Sequence, residues 1–93
     1  MQIKLNEDFE NNFETIFRHI AKDKIKAAKS FKKELFIQIR NLPLFPYKNR
    51  KSIYFDDTDI RDMVFKGYTI VYKIDIQMNA INIADIFNKN KPL

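Results

Sequence analysis

Few side chains in this sequence are of a kind that does chemistry outright. His19 is the only histidine, and there is no cysteine. A lone imidazole without a thiol or a second histidine forms neither a metal set nor a nucleophile–base pair. His19 therefore reads as a boundary residue beside the apolar stripe of a helix. Asp56, Asp57 and Asp59 are spaced like carboxylate ligands. The glycine and the later bidentate glutamate of a calcium loop are missing, however. A strand-to-strand turn explains them better, because aspartate accepts local backbone hydrogen bonds. The single glycine cannot build a phosphate-cradling loop. No metal and no cofactor is expected.

What remains is positive charge. Seventeen Lys and Arg stand against twelve Asp and Glu, giving a formal charge of +5. Such a chain favours anionic partners, whether nucleic acid, an anionic membrane or an acidic protein. The cations fall into three sets. Lys22, Lys26, Lys29 and Lys33 follow steps of four, three and four, which places them on one helix face. That face is either simply solvated or a phosphate-attracting surface. Lys48, Arg50 and Lys51 are interleaved with Tyr47 and Tyr54, a mixture that grips exposed bases, although tyrosine in a sheet is often core. Lys89 and Lys91 form a basic tail.

The elements that must carry these groups divide the chain in two. Phe9, Phe13, Ile16, Phe17 and Ile20 recur at helical steps behind Asn6, a suitable N-cap. A second stripe, Ala28, Phe31, Leu35, Ile39 and Leu42, is expected behind Asp23 as its cap and ends at Pro43. The second half alternates with period two, most clearly over Tyr68, Ile70, Tyr72 and Ile74. Ser52 to Phe55 is a candidate extended segment, and Gly67 marks a tight turn. The expected fold is one α+β domain over residues 1–93, a helical hairpin packed on a small antiparallel sheet in the order β-α-α-β-β-β. Ile3 and Leu5 suggest the first of these strands, a short one expected at the sheet edge. No stretch approaches the roughly 20 apolar residues that span a bilayer, and no apolar run of signal-peptide length opens the chain. No membrane partner and a cytoplasmic location are expected.

Ile60-Arg61-Asp62-Met63-Val64-Phe65-Lys66-Gly67-Tyr68-Thr69-Ile70-Val71-Tyr72-Lys73-Ile74-Asp75 resembles a strand pair of the RelE/ParE toxin superfamily. Ile83-Ala84-Asp85-Ile86-Phe87-Asn88-Lys89 resembles that superfamily's closing strand and its basic end. The resemblance implies the toxin of a bacterial type II toxin–antitoxin pair, neutralised by a protein antitoxin. Two activities occur there: ParE-like inhibition of DNA gyrase, and RelE-like cleavage of ribosome-bound mRNA by basic residues without a metal. Gapless alignment on Gly67-Tyr68 puts Thr69 at the strand arginine of the nucleases and Ile60 and Asp62 at their strand lysines. Their late tyrosine would lie past Leu93, and only Lys89 matches a basic catalytic position. The gyrase reading is therefore slightly favoured, ahead of the mRNA endonuclease and of a non-catalytic protein-binding module. Lys89, Arg61 and Arg50 are the catalytic candidates if cleavage occurs. Lys48, Arg50, Lys51, Lys73, Lys89 and Lys91 are the candidates for binding target or nucleic acid. An open positive groove on the sheet face of Thr69, Val71 and Lys73 would favour cleavage, and an apolar face would favour inhibition by binding.

Overall fold

The computed structural model describes residues 1–88. In chain order its elements are β1 (Gln2–Leu5), α1 (Glu7–Asp23), α2 (Ile25–Asn41), a 3-10 turn (Leu42–Leu44), β2 (Arg50–Lys51), β3 (Ile60–Phe65), β4 (Tyr68–Asp75) and β5 (Ala80–Asn88). The helices form as their stripes require, with small differences at the ends. Asn6 occupies the N-cap position of α1, but its side chain makes no capping bond. Its backbone N–H instead donates to Ile83 O at 2.9 Å, tying the helix start to β5. Asp23 ends α1 rather than capping α2. Lys24 alone, extended at φ −157°, separates the helices. One extended residue suffices to reverse the chain, since the Lys24 N–H still closes α1 on Ile20 O.

The sheet order is β1-β5-β4-β3-β2 among the described residues. Its three long strands pair antiparallel as expected. The edge strand β1 runs parallel to β5, so the sheet is mixed rather than purely antiparallel. The chain reaches β5 from β1 only after both helices, which leaves that pairing free of any hairpin constraint. The expected extended segment at Ser52–Phe55 is also displaced, because the short strand is Arg50–Lys51. Lys66 (φ +48°) and Gly67 (φ +85°) make a two-residue turn between β3 and β4. Both central residues at positive φ match the right-handed twist of a hairpin.

One sheet face carries the helices. Phe9, Phe13, Phe31, Leu35 and Ile39 meet Met63, Ile70, Tyr72, Ile74, Ile81, Ile83 and Ile86 in one buried cluster. Phe13 sits centrally, its ring within about 6 Å of those of Phe9, Phe17, Phe31 and Phe36. The alternation in β5 slips once. Val71 faces Asp85 while Tyr72 faces Ile83, so Ala84 is the extra residue of a bulge. Ile83 and Ile86 consequently share the helix-side face, and Asp85 and Phe87 turn to the other.

Tyr72 is fully buried in this core, yet its hydroxyl is satisfied. It donates to Pro46 O at 2.7 Å and accepts from Asn49 Nδ2 at 3.1 Å. These bonds pin the connector between α2 and β2 to the sheet. Burial raises the phenol's pKa, and the Asn49 bond opposes this only in part. A raised phenol pKa means the folded state holds its proton longer than the unfolded chain does. The associated stability is whole below the unfolded value of about 10 and is lost as pH rises through the folded value. Tyr72→Phe is therefore expected to cost about 1–2 kcal/mol at neutral pH. Its stability should also fall less steeply above about pH 10 than that of the parent. Urea unfolding at neutral and alkaline pH measures both. Tyr47, whose pKa is also raised by donating to Asp59, titrates in both proteins.

Candidate functional site

The sheet face turned away from the helices is where the sequence places its chemistry. Register sets Ile60, Asp62 and Val64 of β3 opposite Lys73, Val71 and Thr69 of β4. Thr69, Val71 and Lys73 in turn face Phe87, Asp85 and Asn82 of β5. Thr69, Asp62 and Ile60, the three positions aligned with nuclease cations, thus share one surface as a threonine, an aspartate and an isoleucine. Thr69 and Val71 are buried there, at 0% and 3% exposure.

A loop that closes over this face buries them. Ser52 N–H donates to Ile60 O at 2.8 Å, and Ile53 N–H donates to Asp62 Oδ2 at 3.1 Å. The Ser52 hydroxyl accepts from the Tyr54 N–H. Tyr54 then lays its ring edge-on against Phe87, with centroids 5.2 Å apart. Beside it a groove of about 260 Å³ runs between Tyr54, Phe55, Val71 and Phe87, with Asp8 and Asp85 among its lining residues. Asp62 anchors the loop. Its side chain is wholly buried, and Arg50 approaches its Oδ2 at 3.4 Å. Its other oxygen and the Thr69 hydroxyl have no hydrogen-bond partner among the described residues.

The candidate cations are mostly engaged elsewhere. Arg61 lies on the helix side of β3, opposite Tyr72. Its guanidinium donates to the carbonyls of Thr58 and Asn49 and stacks 4.9 Å over the Tyr47 ring. It thereby clamps the connector to the Asp56–Asp59 turn. Arg50 is held by Asp62, Lys51 pairs with Asp56 at 3.1 Å, and Lys73 stands 3.9 Å from Asp57. Among the described residues of this set, only the exposed Lys48 side chain is unpaired. It follows an apolar outcrop, Leu44 at 69% and Phe45 at 71% exposure. Lys89 and Lys91 lie outside the described residues. The aspartates of the turn serve the turn itself: Asp57 Oδ1 accepts the Asp59 N–H, and Asp59 Oδ1 accepts the Tyr47 hydroxyl. His19 is exposed on α1 rather than seated at the core boundary.

Sequence reasoning missed the covering loop and the bulge. The one signal for the loop was a lone aspartate amid an apolar strand, Asp62. An acid at such a position must meet a donor from outside the strand. What the arrangement can do follows from its polarity. RNA cleavage through a 2′-oxygen needs cations converging on a phosphate, and here the face carries aromatic and acidic side chains under a stitched loop.

Three comparisons bear on this geometry. The family described as ParE toxin of type II toxin-antitoxin system, parDE, matches residues 3–91. A solved structure described as a chromosomal ParDE TA system from P. aeruginosa is similar in fold. It has a TM-score of 0.74 and 12% identity, over 95% of each chain. No curated protein matches the sequence. No helix among the described residues is long and apolar enough to cross a membrane.

Proposed function

The chain belongs to the ParE toxin family of type II toxin–antitoxin systems, and from that premise we propose that it arrests growth by binding DNA gyrase rather than by cleaving RNA. One observation carries the choice. The sheet face on which a RelE-like enzyme would need its cations is closed by the Ser52–Phe55 loop and anchored on a buried aspartate. Catalysis by charge stabilisation requires donors free to meet the reacting phosphate, and Arg50, Arg61 and Lys73 are already engaged. Binding instead draws on the exposed Lys48 and on the tail lysines Lys89 and Lys91, as charges that steer and hold an anionic partner. A cognate antitoxin with acidic side chains would cover part of the same basic surface, and low-salt co-purification with the product of an adjacent gene tests that pairing.

Induced expression without antitoxin, read in parallel for DNA-damage response and protein synthesis, separates the readings. The gyrase reading expects the damage response first, and loss of supercoiling by purified gyrase. Early mRNA cleavage at the ribosome would overturn it in favour of the endonuclease, and unimpaired growth would leave a binding module. Lys89→Ala with Lys91→Ala is expected to abolish growth arrest while leaving the melting temperature nearly unchanged, because a lysine contact of this kind is mainly electrostatic. Full toxicity at matched expression would move the binding surface to Lys48, Arg50 and Lys51.

A further inference from the structure

The groove between Tyr54 and Phe87 runs against the charge of the chain. On a protein of net charge +5, its charged lining residues are Asp8 and Asp85, with no lysine or arginine among them. One acid sits in the first turn of α1 and the other in β5. Neither has an ion-pair partner among the described residues. Asp8 also answers the positive end of the α1 dipole, which leaves Asp85 as the stronger signal. Asp85 Oδ1 accepts from Asn12 Nδ2 at 2.7 Å and from the Ile86 N–H at 2.8 Å. Those bonds fix the half-buried carboxylate in place, and its second oxygen has no hydrogen-bond partner among the described residues.

The walls are aromatic. The Tyr54 and Phe87 rings stand nearly perpendicular, at 84° with centroids 5.2 Å apart, and form a corner. Phe55, 52% exposed, lines the groove beside them. Ring faces attract a cation, most strongly when it is desolvated. Val71 and Ala84 give the groove an apolar floor. A second hollow of about 360 Å³ shares that floor and ends at Lys73. The cleft is therefore polarised, acidic and aromatic at one end and basic at the other.

We infer that this groove binds an organic cation, a guanidinium or alkylammonium head on an apolar stem. The head would sit between the Tyr54–Phe87 corner and the free oxygen of Asp85, and the stem would lie over Val71 and Ala84. Lys73 repels the head from the far end, which sets the direction of entry. A volume of about 260 Å³ suits one side chain or a small amine rather than a drug-sized ligand. A bare metal ion would use neither the rings nor the floor. Two sources present this chemistry, an arginine side chain of a partner protein and a free polyamine. The site is independent of the gyrase reading, and its test reads binding in vitro, apart from growth arrest.

The intact protein, isotopically labelled, is titrated with N-acetyl-arginine amide, with spermidine, and with the uncharged citrulline analogue of the first. Both cations are expected to shift the amides of Tyr54, Asp85 and Phe87, and the citrulline analogue to leave them in place. Asp85→Asn keeps an acceptor for Asn12 while removing the charge, and should weaken both cations about 5-fold or more. Tyr54→Leu, which removes one wall of the corner, should weaken them as well. Each variant's own spectrum establishes that it is folded. Tighter binding of the arginine amide would assign the site to a partner's side chain, and tighter binding of spermidine to a free polyamine; both uphold the inference. Equal binding of the citrulline analogue, shifts centred elsewhere, or unchanged affinity in Asp85→Asn would each overturn it.

Discussion

Replacing Phe31 by alanine is expected to cost about 3–5 kcal/mol, the range for emptying a buried phenylalanine site. Phe31 is 6% exposed and joins the two layers of the fold. Its ring lies 6.3 Å from Phe13 across the helical hairpin, 5.6 Å from Phe65 on β3 and 5.4 Å from Tyr68 on β4. Truncation would strip both the helix pair and the sheet of the same contact. For a domain of this size the melting temperature should fall by roughly 15 °C or more. Phe31→Leu, which keeps most of the volume, should cost far less, about 1–2 kcal/mol. Circular dichroism melts of both variants measure the contrast. Equal losses would mean that the ring geometry rather than the filled volume holds the layers together.

Asp62→Lys is expected to be about as damaging, and to bring no RNA cleavage. It would install the residue type that the nuclease alignment asks for, at a side chain that is wholly buried. The new ammonium would meet the Arg50 guanidinium where the carboxylate now stands, 3.4 Å away. It would also withdraw the acceptor of the Ile53 N–H. Losing one partner of a buried charge contact costs about 3–5 kcal/mol when the other remains uncompensated, and here a second like charge is added. Asp62→Ala should be milder, about 1–3 kcal/mol, because Arg50 is half exposed and can return to water. Urea melts order the two variants, and amide exchange at Ile53 should accelerate in both. An Asp62→Lys variant as stable as the parent would mean that the loop is held by Tyr54 and Ser52 alone.

What the sequence made legible was local. The helical stripes, the alternation of β4 and the turn at Gly67 each depend on residues a few positions apart, and all three appear where the pattern puts them. The parallel pairing of β1 is not local. Gln2–Leu5 is four residues long with only Ile3 and Leu5 apolar, and nothing in so short a stretch encodes its partner. The bulge at Ala84 was hidden because Ile81, Ile83 and Phe87 look like one alternating face, when Ile86 is the residue that continues it. The candidate site was half legible. Asp62 and Thr69 stand where the nuclease alignment asks for cations, and both are buried in the sheet. Whether Arg61 and Arg50 were free, by contrast, depended on carbonyls and a carboxylate brought up by the Thr58 turn, the connector and β3. A cation's role is set by what folds against it, and sequence spacing alone does not contain that.

The parallel ladder between β1 and β5 also sets a timetable. Gln2 pairs with Ala80 and Leu5 with Ile83, so β1 waits for β5, some 78 residues further along the chain. The α1 start is likewise tied by Asn6 to Ile83. Contacts this distant in the chain form late, since closing so large a loop is costly until the intervening structure is in place. While the chain is still being synthesised, the helical hairpin can form but has no finished sheet to cover. The growing polypeptide therefore acquires its mature surfaces, the loop-covered face between Tyr54 and Phe87 among them, only when β5 has emerged.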